Sequence, residues 1–470
     1  MALVRRPKRT PVLLRMTQQI GCYRATNSRC SELKKEQIPP LFTPMKDVAK
    51  LRDELVKLKL FPRFKICSVG TKIMCSSLQQ YKSVGDLLKN STVVFYTHDL
   101  PSVKPLRTAV RRSIEKHGYP AELHSVITED GYTLTLSRIP SPRKTPILLL
   151  HQVYGCSIEF TMLGPGKALA LLAHDDGYDV WMGNVRGNMF SRGHLSLDPN
   201  RNAYWDYSYH EIGAYDLPAM VDYILFLTGK QKLHYVGHSQ GAAVFLVMAS
   251  MQPKYNAKVI SAHLSAPPAF LSKATSPAGR VSGELLSSLQ LMESLGIRSV
   301  GDRFNSEPMM YLKQAIDVNV VSEEWIMETV YFLTGEDRDG FNMSIMSDLT
   351  AAFPAGGSIR QFMHFMQCYR SGRFAQFDHG KAGNTKRYGH STPPAYALDL
   401  VTAPVAIYYG SNDRFVSAED VKLLAKKLPN VVLRYLHPNP KWNHIDFLYS
   451  VEAPQVYRHI LNLIRSFERR

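Results

Sequence analysis

The spacing of apolar and polar residues changes along the chain. Residues 1–105 show no sustained period, apart from apolar positions at helical spacing that predict a helix over 47–60. From Tyr119, short apolar runs alternate with helical patterns, which predicts an α/β fold with a mostly parallel sheet and helices on both faces. This rhythm stops after residue 267 and resumes at 396. We therefore assign 106–267 and 396–470 to the two parts of one α/β core.

Residues 268–395 separate the two parts of this core. They are helix-like, rich in methionine, and contain the sequence Pro354-Ala355-Gly356-Gly357. We interpret them as a helical cap inserted over the strand ends, because methionine suits a surface that adapts to varied apolar ligands. The core of an ordinary helical subdomain explains the methionines equally well.

Within the α/β core the pattern predicts single elements. Two alternating runs joined by Glu129-Asp130-Gly131 predict a hairpin over 124–140. The other predicted strands are 147–150, 178–182, 233–236, 258–265, 404–410 and 431–436. The predicted helices are 164–173, 216–226 with Asp216 as its N-cap, 242–251, 421–428 and 453–467.

The sequence Gly237-His238-Ser239-Gln240-Gly241 stands between a predicted strand and a predicted helix. In that context a G-x-S-x-G sequence predicts a nucleophile elbow, whereas without it the match is as well explained by a helix-capping turn. We expect a strained backbone at Ser239, and glycines at 237 and 241 because side chains there would collide across the turn. The Ser239 hydroxyl would then stand at a helix N-terminus, whose N–H groups face developing negative charge.

A serine hydroxyl needs a base to take its proton and an acid to hold that base in the right tautomer. In a fold of this kind the residues follow in the order serine, acid, histidine, each just past the end of a strand. Asp413, in the turn after the strand 404–410, and His444, in the loop after the last strand, meet both conditions. We therefore predict Ser239, Asp413 and His444 as the catalytic triad.

Three other residues compete for these roles. Asp420 falls in the following helix, and Asp446 lies two residues past His444, which favours a structural role. His238, inside the elbow, is expected to pack beside the nucleophile rather than take its proton. An oxyanion hole needs two N–H donors, which we expect from the backbone of Gln240 and from the loop His151-Gln152-Val153.

The net charge of +17 belongs almost wholly to the N-terminal quarter. Residues 1–116 contain 24 Lys and Arg against 8 Asp and Glu, and the rest of the chain is nearly balanced. This distribution argues against nucleic-acid binding by the whole protein; a solvated, partly disordered extension and a basic arm that touches anionic lipid or nucleic acid both remain open. No uncharged run of about 18 apolar residues predicts a membrane-spanning helix.

The N-terminus carries no recognisable secretory signal. Residues 1–30 are rich in arginine and free of acidic residues, as in a mitochondrial transit peptide, but no apolar run of signal-peptide length follows. Asn90-Ser91-Thr92 is a glycosylation sequon that matters only in the secretory pathway. A mis-assigned start is the alternative.

Six cysteines constrain the compartment only weakly. Two pairs enclose seven residues each, which is wider than zinc-knuckle spacing and allows small disulfide loops only in an oxidising compartment: Cys22 with Cys30, and Cys67 with Cys75. We expect Cys156 and Cys368 to be small buried apolar residues. No metal and no cofactor is predicted.

A series of motifs, in order, covers about three quarters of the chain: HGYPAELHSVITEDGYTLTLSRIP, GYDVWMGNVRGNMFSRGH, YDLPAMVDYIL, KLHYVGHSQG, FNMS, FDHG, STPPAYAL, GSNDRFVSAEDV and NHIDFLYSVEAPQVY. With these motifs the chain from about residue 118 resembles the acid lipases, the family of lysosomal acid lipase and gastric lipase, and is most similar to their insect relatives. The resemblance implies an α/β-hydrolase with a cap that hydrolyses neutral lipid esters, triacylglycerol or steryl ester, at a lipid–water interface in a lysosomal or extracellular compartment.

The same resemblance assigns the site. It places the nucleophile on Ser239, the acid on Asp413, the base on His444 and the oxyanion donors on Val153 and Gln240. Asn342-Met343-Ser344 falls on a glycosylation sequon of the family, which implies a glycoprotein.

The chain departs from the family pattern at three places. Gln152 stands where the family has glycine after the oxyanion-strand histidine, and a side chain there is expected to narrow the hole or rotate the Val153 N–H. Thr334 replaces a cap cysteine, so the cap disulfide of the family is not expected, and residues 1–105 match nothing in it. Because of Gln152, the alternative function is a weakly active or inactive lipase-like protein that binds lipid.

Overall fold

The computed structural model describes residues 41–43, 63–67, 70–74, 96–97, 104–300 and 323–469. The predicted helix over 47–60, the sequon over 90–92, most of the basic N-terminal region and the side chains of its four cysteines lie outside the described residues. Four short strands in this N-terminal part pair in the order β2-β3-β1-β4, and the sequence pattern did not predict them. They are β1 Leu41–Thr43, β2 Arg63–Cys67, β3 Gly70–Met74 and β4 Tyr96–Thr97.

The main sheet of the described chain has nine strands. They are β5 Glu122–Ile127, β6 Tyr132–Ile139, β7 Pro146–Leu150, β8 Asp179–Asn184, β9 Gly193–His194, β10 Leu233–His238, β11 Val259–Ser265, β14 Val405–Tyr409 and β15 Val431–Leu436. Their order is β15-β14-β11-β10-β7-β8-β6-β5, with β9 paired to β6. From β8 to β15 all neighbours are parallel, and the hairpin β5–β6 adds an antiparallel end.

Every residue of β7, β8 and β10 is buried. Because side chains alternate between the two faces of a strand, both faces of the central sheet must be covered. The fold is therefore the predicted α/β arrangement, and the hairpin and all six other predicted strands are confirmed with ends shifted by at most two residues.

Fourteen α-helices accompany the strands in the described chain, and five 3₁₀ turns and one π-helix lie between them. The α-helices are α1 Lys104–Glu115, α2 Leu169–Asp175, α3 Tyr209–Glu211, α4 Leu217–Thr228, α5 Gln240–Met251, α6 Pro277–Arg280, α7 Ser282–Ser294, α8 Glu323–Thr334, α9 Met346–Ala352, α10 Ile359–Ser371, α11 Gly380–Tyr388, α12 Ala418–Lys427, α13 Asp446–Tyr449 and α14 Ala453–Glu468. None of the described helices is both long enough and apolar enough to traverse a bilayer.

Two helix predictions need correction. The helix predicted from residue 164 begins only at Leu169, because glycines 164 and 166 have φ of +76° and +71°, outside the helical region. Asp216 is not an N-cap: it has helical angles inside a run that continues from α3 through the π-helix Ile212–Asp216 into α4. Its carboxylate instead accepts hydrogen bonds from the backbone N–H and the guanidinium of Arg186, at 2.8 and 2.7 Å.

The cap is inserted between two neighbouring strands of the sheet, β11 and β14. It contains α6 to α11 and a short antiparallel pair, β12 Ser299–Val300 with β13 Gly357–Ser358. Helix α7 packs on α10, and the long chain excursion returns to form the parallel pairing of β14 with β11. The boundaries of the four regions predicted from the sequence, 1–105, 106–267, 268–395 and 396–470, remain predictions. Helix α1 crosses the boundary between the first two regions.

Candidate active site

The elbow between β10 and α5 holds Ser239 in a strained conformation. Its φ is +51° and ψ is −116°, which a residue with a Cβ rarely adopts. The Ser239 N–H donates to the carbonyl of Ser265 at the end of β11, at 2.9 Å. Because this bond ties the turn to the neighbouring strand β11, the sheet helps to maintain the conformation.

The two glycines of the elbow lie in close backbone contacts. A Cβ at Gly237 would lie 2.6 Å from the carbonyl carbon of Gly241, so a side chain there collides across the turn as predicted. A Cβ at Gly241 would lie 2.2 Å from the carbonyl oxygen of Leu150, so its constraint comes from the neighbouring strand β7. Both contacts are with backbone, which leaves no flexible neighbour to move aside.

The structure brings the three predicted triad residues together at the carboxyl ends of their strands. His444 Nε2 lies 2.8 Å from Ser239 Oγ, and His444 Nδ1 lies 2.8 Å from Asp413 Oδ2. The other carboxylate oxygen of Asp413 accepts from the backbone N–H groups of Phe415 and Val416, both at 2.8 Å. The carboxylate is thereby fixed in rotation, with one oxygen left to orient the imidazole.

Comparison with known proteins identifies the family. Residues 145–284 match a family model described as alpha/beta hydrolase fold, and residues 110–164 match one described as a partial alpha/beta-hydrolase lipase region. The chain is 40% identical to Lipase 1 of Drosophila melanogaster over 76% of this chain and 79% of that protein. It is 35% identical to the gastric triacylglycerol lipase of Bos taurus and 32% identical to the lysosomal acid lipase/cholesteryl ester hydrolase of Homo sapiens, over 76% of this chain and 90% and 91% of theirs.

The chain belongs to the acid lipase family. As a family member with the α/β-hydrolase fold, it is a carboxylic ester hydrolase.

The residues that competed for triad roles take other positions in this lipase. Asp420 lies inside α12 and accepts hydrogen bonds from Ser272 and Lys273. Asp446 accepts from the backbone N–H of Asn443 at 2.7 Å, and its burial raises its pKa to about 8. A carboxyl that is neutral at pH 7 stabilises the loop before α13 without placing a second charge beside His444.

His238 is also accounted for. Its ring lies 5.2 Å from the His444 ring, centroid to centroid, and 5.8 Å from that of Phe447. Burial and the neighbouring His444 lower the pKa of His238 well below its usual value. The lipase therefore keeps His238 as a neutral packing residue next to Ser239.

The two predicted oxyanion donors lie at the start of α5 and in the segment 151–155, here termed the oxyanion loop. Gln240 is the first residue of α5, and Val153 follows the end of β7 by three residues. No described residue accepts a hydrogen bond from the backbone N–H of either one. Two N–H groups that have no acceptor within the described part of the chain, on elements that flank Ser239, suit the role predicted for them.

The Gln152 side chain is buried and hydrogen-bonded. Its Nε2 donates to the hydroxyl of Tyr449 at 2.9 Å and to Oε1 of Glu159 at 3.3 Å. Burial raises the pKa of Glu159 to about 8, so this carboxyl is neutral at pH 7. The glutamine that replaces the family glycine thus belongs to a buried polar cluster of the lipase.

Two cap residues that sequence reasoning missed contact the triad elements directly. Gln361, in α10, donates from its side-chain amide to Oε1 of Gln240 at 3.0 Å. Gly335, which follows α8, accepts from the Asn443 side chain at 2.9 Å and has φ of +117°. A glycine just after a helical pattern is a C-terminal signal that sequence reasoning can use, whereas an isolated glutamine carries none.

The cap lacks the disulfide position of the family at Thr334. The Thr334 hydroxyl donates to the carbonyl of Val330 one turn earlier in α8, at 2.8 Å. Among the cysteines whose side chains are described, Cys156 and Cys368 are buried, as predicted. In the described cap, hydrogen bonds between α8 and the loop around Asp413 hold α8 in place: the Arg414 N–H donates to the Thr334 carbonyl.

Proposed function

We propose that this lipase hydrolyses neutral lipid esters through an acyl-enzyme on Ser239. The observation that carries the proposal is the continuous hydrogen-bonded chain from Ser239 Oγ through His444 to Asp413, with both distances at 2.8 Å. Nucleophile, base and orienting acid all lie within hydrogen-bond reach, as such chemistry requires.

The reaction runs in two halves. Ser239 Oγ attacks the ester carbonyl carbon while His444 Nε2 takes its proton, and Asp413 holds the Nδ1–H and stabilises the imidazolium. The carbonyl oxygen becomes an oxyanion that accepts from the N–H groups of Val153 and Gln240. His444 then protonates the departing alcohol as the carbon–oxygen bond breaks. Water, deprotonated by His444, attacks the acyl carbon, and His444 returns the proton to Ser239 Oγ as the bond between Oγ and the acyl carbon breaks and the fatty acid leaves.

Neutral lipids are the substrate class that the relatives support. Their names include triacylglycerol lipase and cholesteryl ester hydrolase, and gastric and lysosomal members support a secreted or lysosomal location for this chain. The sequon at Asn342, whose side chain is partly exposed, fits passage through the secretory pathway.

An apolar cluster on the cap suits contact with a lipid–water interface. Leu291, Leu295 and Ile297, at and beyond the end of α7, are 60, 70 and 47% exposed. Helix α7 packs on α10, which reaches the elbow through Gln361, so the cluster belongs to the part of the cap that covers the site. Exposed apolar groups on one helix end favour transfer into a lipid surface.

Replacing this cluster by serine is therefore expected to separate two activities. The triple variant should hydrolyse an emulsified long-chain ester about tenfold more slowly, because adsorption scales with the apolar area that becomes buried. Hydrolysis of a soluble short-chain ester should be unchanged. Leu400→Ser with Val432→Ser, each position 41% exposed and outside α7, is the matched control that should affect neither rate. An equal loss on both substrates would contradict a docking role for the cluster.

Phosphonate labelling tests the proposed function as a whole. A p-nitrophenyl alkylphosphonate should release one equivalent of nitrophenolate and leave a phosphonyl group on the peptide containing Ser239, as found by mass spectrometry, with loss of esterase activity in proportion. The alternative, a weakly active or inactive lipid-binding protein, rests on Gln152: a weakly active protein would be labelled slowly at Ser239, and an inactive one would bind lipid while Ser239 remains unlabelled. Labelling of another residue, with activity lost, would overturn the assignment of the nucleophile.

A further inference from the structure

We propose that Gln152 is a positioning residue, whose side chain ties the oxyanion loop to the segment that carries the catalytic histidine. The inference rests on the proposed function and adds to it a residue that touches neither the substrate nor the triad. It starts from the partner of the Gln152 amide: Tyr449 is the last residue of α13, which begins two residues after His444. The bond joins residues 297 positions apart in sequence.

The backbone of Gln152 is held as firmly as its side chain. Its carbonyl oxygen accepts from His151 Nδ1 at 2.7 Å and from the Gly155 N–H at 3.1 Å. The Val185 N–H donates to His151 Nε2 at 3.3 Å, so Nε2 is the ring nitrogen that accepts a hydrogen bond. The proton of the neutral ring is therefore on Nδ1. Burial lowers the pKa of His151 to about 4, which keeps this neutral tautomer in place.

A held carbonyl fixes the next N–H. The peptide between Gln152 and Val153 is planar, so its C=O and N–H point in opposite directions. With the Gln152 carbonyl directed at His151 and Gly155, the Val153 N–H points in the opposite direction within the same peptide plane. The hydrogen bond from the Gln152 side chain anchors the same residue at a second point. It therefore also fixes the tilt of the peptide plane.

The groups around the Gln152 side chain can accept both hydrogens of its amide. Glu159 accepts the second Nε2 hydrogen and is 2% exposed. A Cβ at position 155 would lie 2.4 Å from Glu159 Oε1, so Gly155 makes room for the carboxyl that pairs with Gln152. The Gln152 side chain, itself 6% exposed, therefore occupies a prepared polar site beneath the loop.

The experiment compares kcat and KM of Gln152→Met, Tyr449→Phe and the double variant on a soluble p-nitrophenyl ester. Methionine keeps the length of the side chain but cannot donate, and phenylalanine removes only the hydroxyl. Each single variant is expected to lower kcat about tenfold with KM changed less than twofold, because a displaced donor acts on the transition state. The double variant should also lose only about tenfold, since both changes break the same hydrogen bond between Gln152 and Tyr449, on which the positioning depends.

Tyr457→Phe is the matched control. The Tyr457 hydroxyl donates to the carbonyl of Phe447 in the same helix α13 at 2.7 Å, so the change removes a buried tyrosine bond without touching Gln152. It should lower Tm and leave kcat unchanged. A boronic acid, which mimics the tetrahedral intermediate, should bind about tenfold more weakly to the Gln152 and Tyr449 variants and normally to this control.

Three results would overturn the inference: an unchanged or higher kcat in Gln152→Met, independent losses that multiply in the double variant, or an equal loss in Tyr457→Phe. Phosphonate labelling of Ser239 keeps the two proposals apart. If Ser239 is labelled and the Gln152 variant retains full kcat, only the positioning role fails, whereas an unlabelled Ser239 removes the proposed function itself.

Discussion

Ser239→Ala is expected to lower kcat/KM for a medium-chain ester by a factor on the order of 10⁶, without loss of the folded state. The substitution removes only the hydroxyl group, whose Oγ lies 2.8 Å from Nε2 of His444, the base that would take its proton. Alanine at this position keeps a Cβ, so the strain of a φ of +51° is the same in both proteins. We therefore expect Tm to change little. The measurement is steady-state hydrolysis, with thermal unfolding followed by circular dichroism.

Ser250→Ala serves as the control for the effect of losing a buried serine hydroxyl. Ser250 lies in α5, the helix that follows Ser239, and donates to the carbonyl of Val247, but it is eleven residues from Ser239. Its replacement should leave kcat/KM within about twofold. Turnover retained in Ser239→Ala would end the case for this nucleophile, whatever the stability of the variant.

Gly335→Ala is expected to cost about 3 kcal/mol of stability and to lower kcat about 10²-fold. Its φ of +117° is unfavourable for any residue with a Cβ, and that Cβ would lie 2.1 Å from the carbonyl oxygen of Asn412. Asn412 precedes Asp413, and the Gly335 carbonyl accepts from Asn443, which precedes His444. Relief of the clash must therefore move the backbone beside both Asp413 and His444.

Gly296→Ala is the control that separates the effect of backbone strain from the effect of displacing the backbone beside Asp413 and His444. Gly296 also lies in the cap, with φ of +85°, but its added Cβ would meet only the side chain of Asn202 at 3.5 Å, an ordinary contact. The control should lose about 1–2 kcal/mol in urea unfolding and keep its kcat. Equal losses of kcat in both variants would show that Gly335 acts through cap stability alone.

Local pattern was enough to predict the sheet and the order of the site residues. A buried strand, a tight turn and an apolar helix are adjacent in sequence, so the elbow at Ser239 could be recognised within about twenty residues. Asp413 and His444 followed from a topological rule, because parallel strands bring their carboxyl ends to one edge. None of these steps required knowing what lies far away in sequence.

The errors and omissions come from contacts between distant residues. Asp216 has the residue type of an N-cap, but Arg186, thirty positions earlier, takes its carboxylate, and the helix continues through it. The direction of the Gln152 side chain depends on Tyr449, and the roles of Gln361 and Gly335 depend on how the cap lies on the sheet. No period or motif carries that information.

The insertion of the cap between two adjacent parallel strands bears on protein engineering. Since β11 and β14 pair directly, with Ala262 opposite Val405, this strand pairing does not involve the cap that lies between them in sequence. A chimaera that carries the cap of another family member can thus keep this sheet. It must also bring a glycine turn that fits against Asn412 and Asn443, because a transplanted cap without one would settle on the acid and histidine loops in the wrong place.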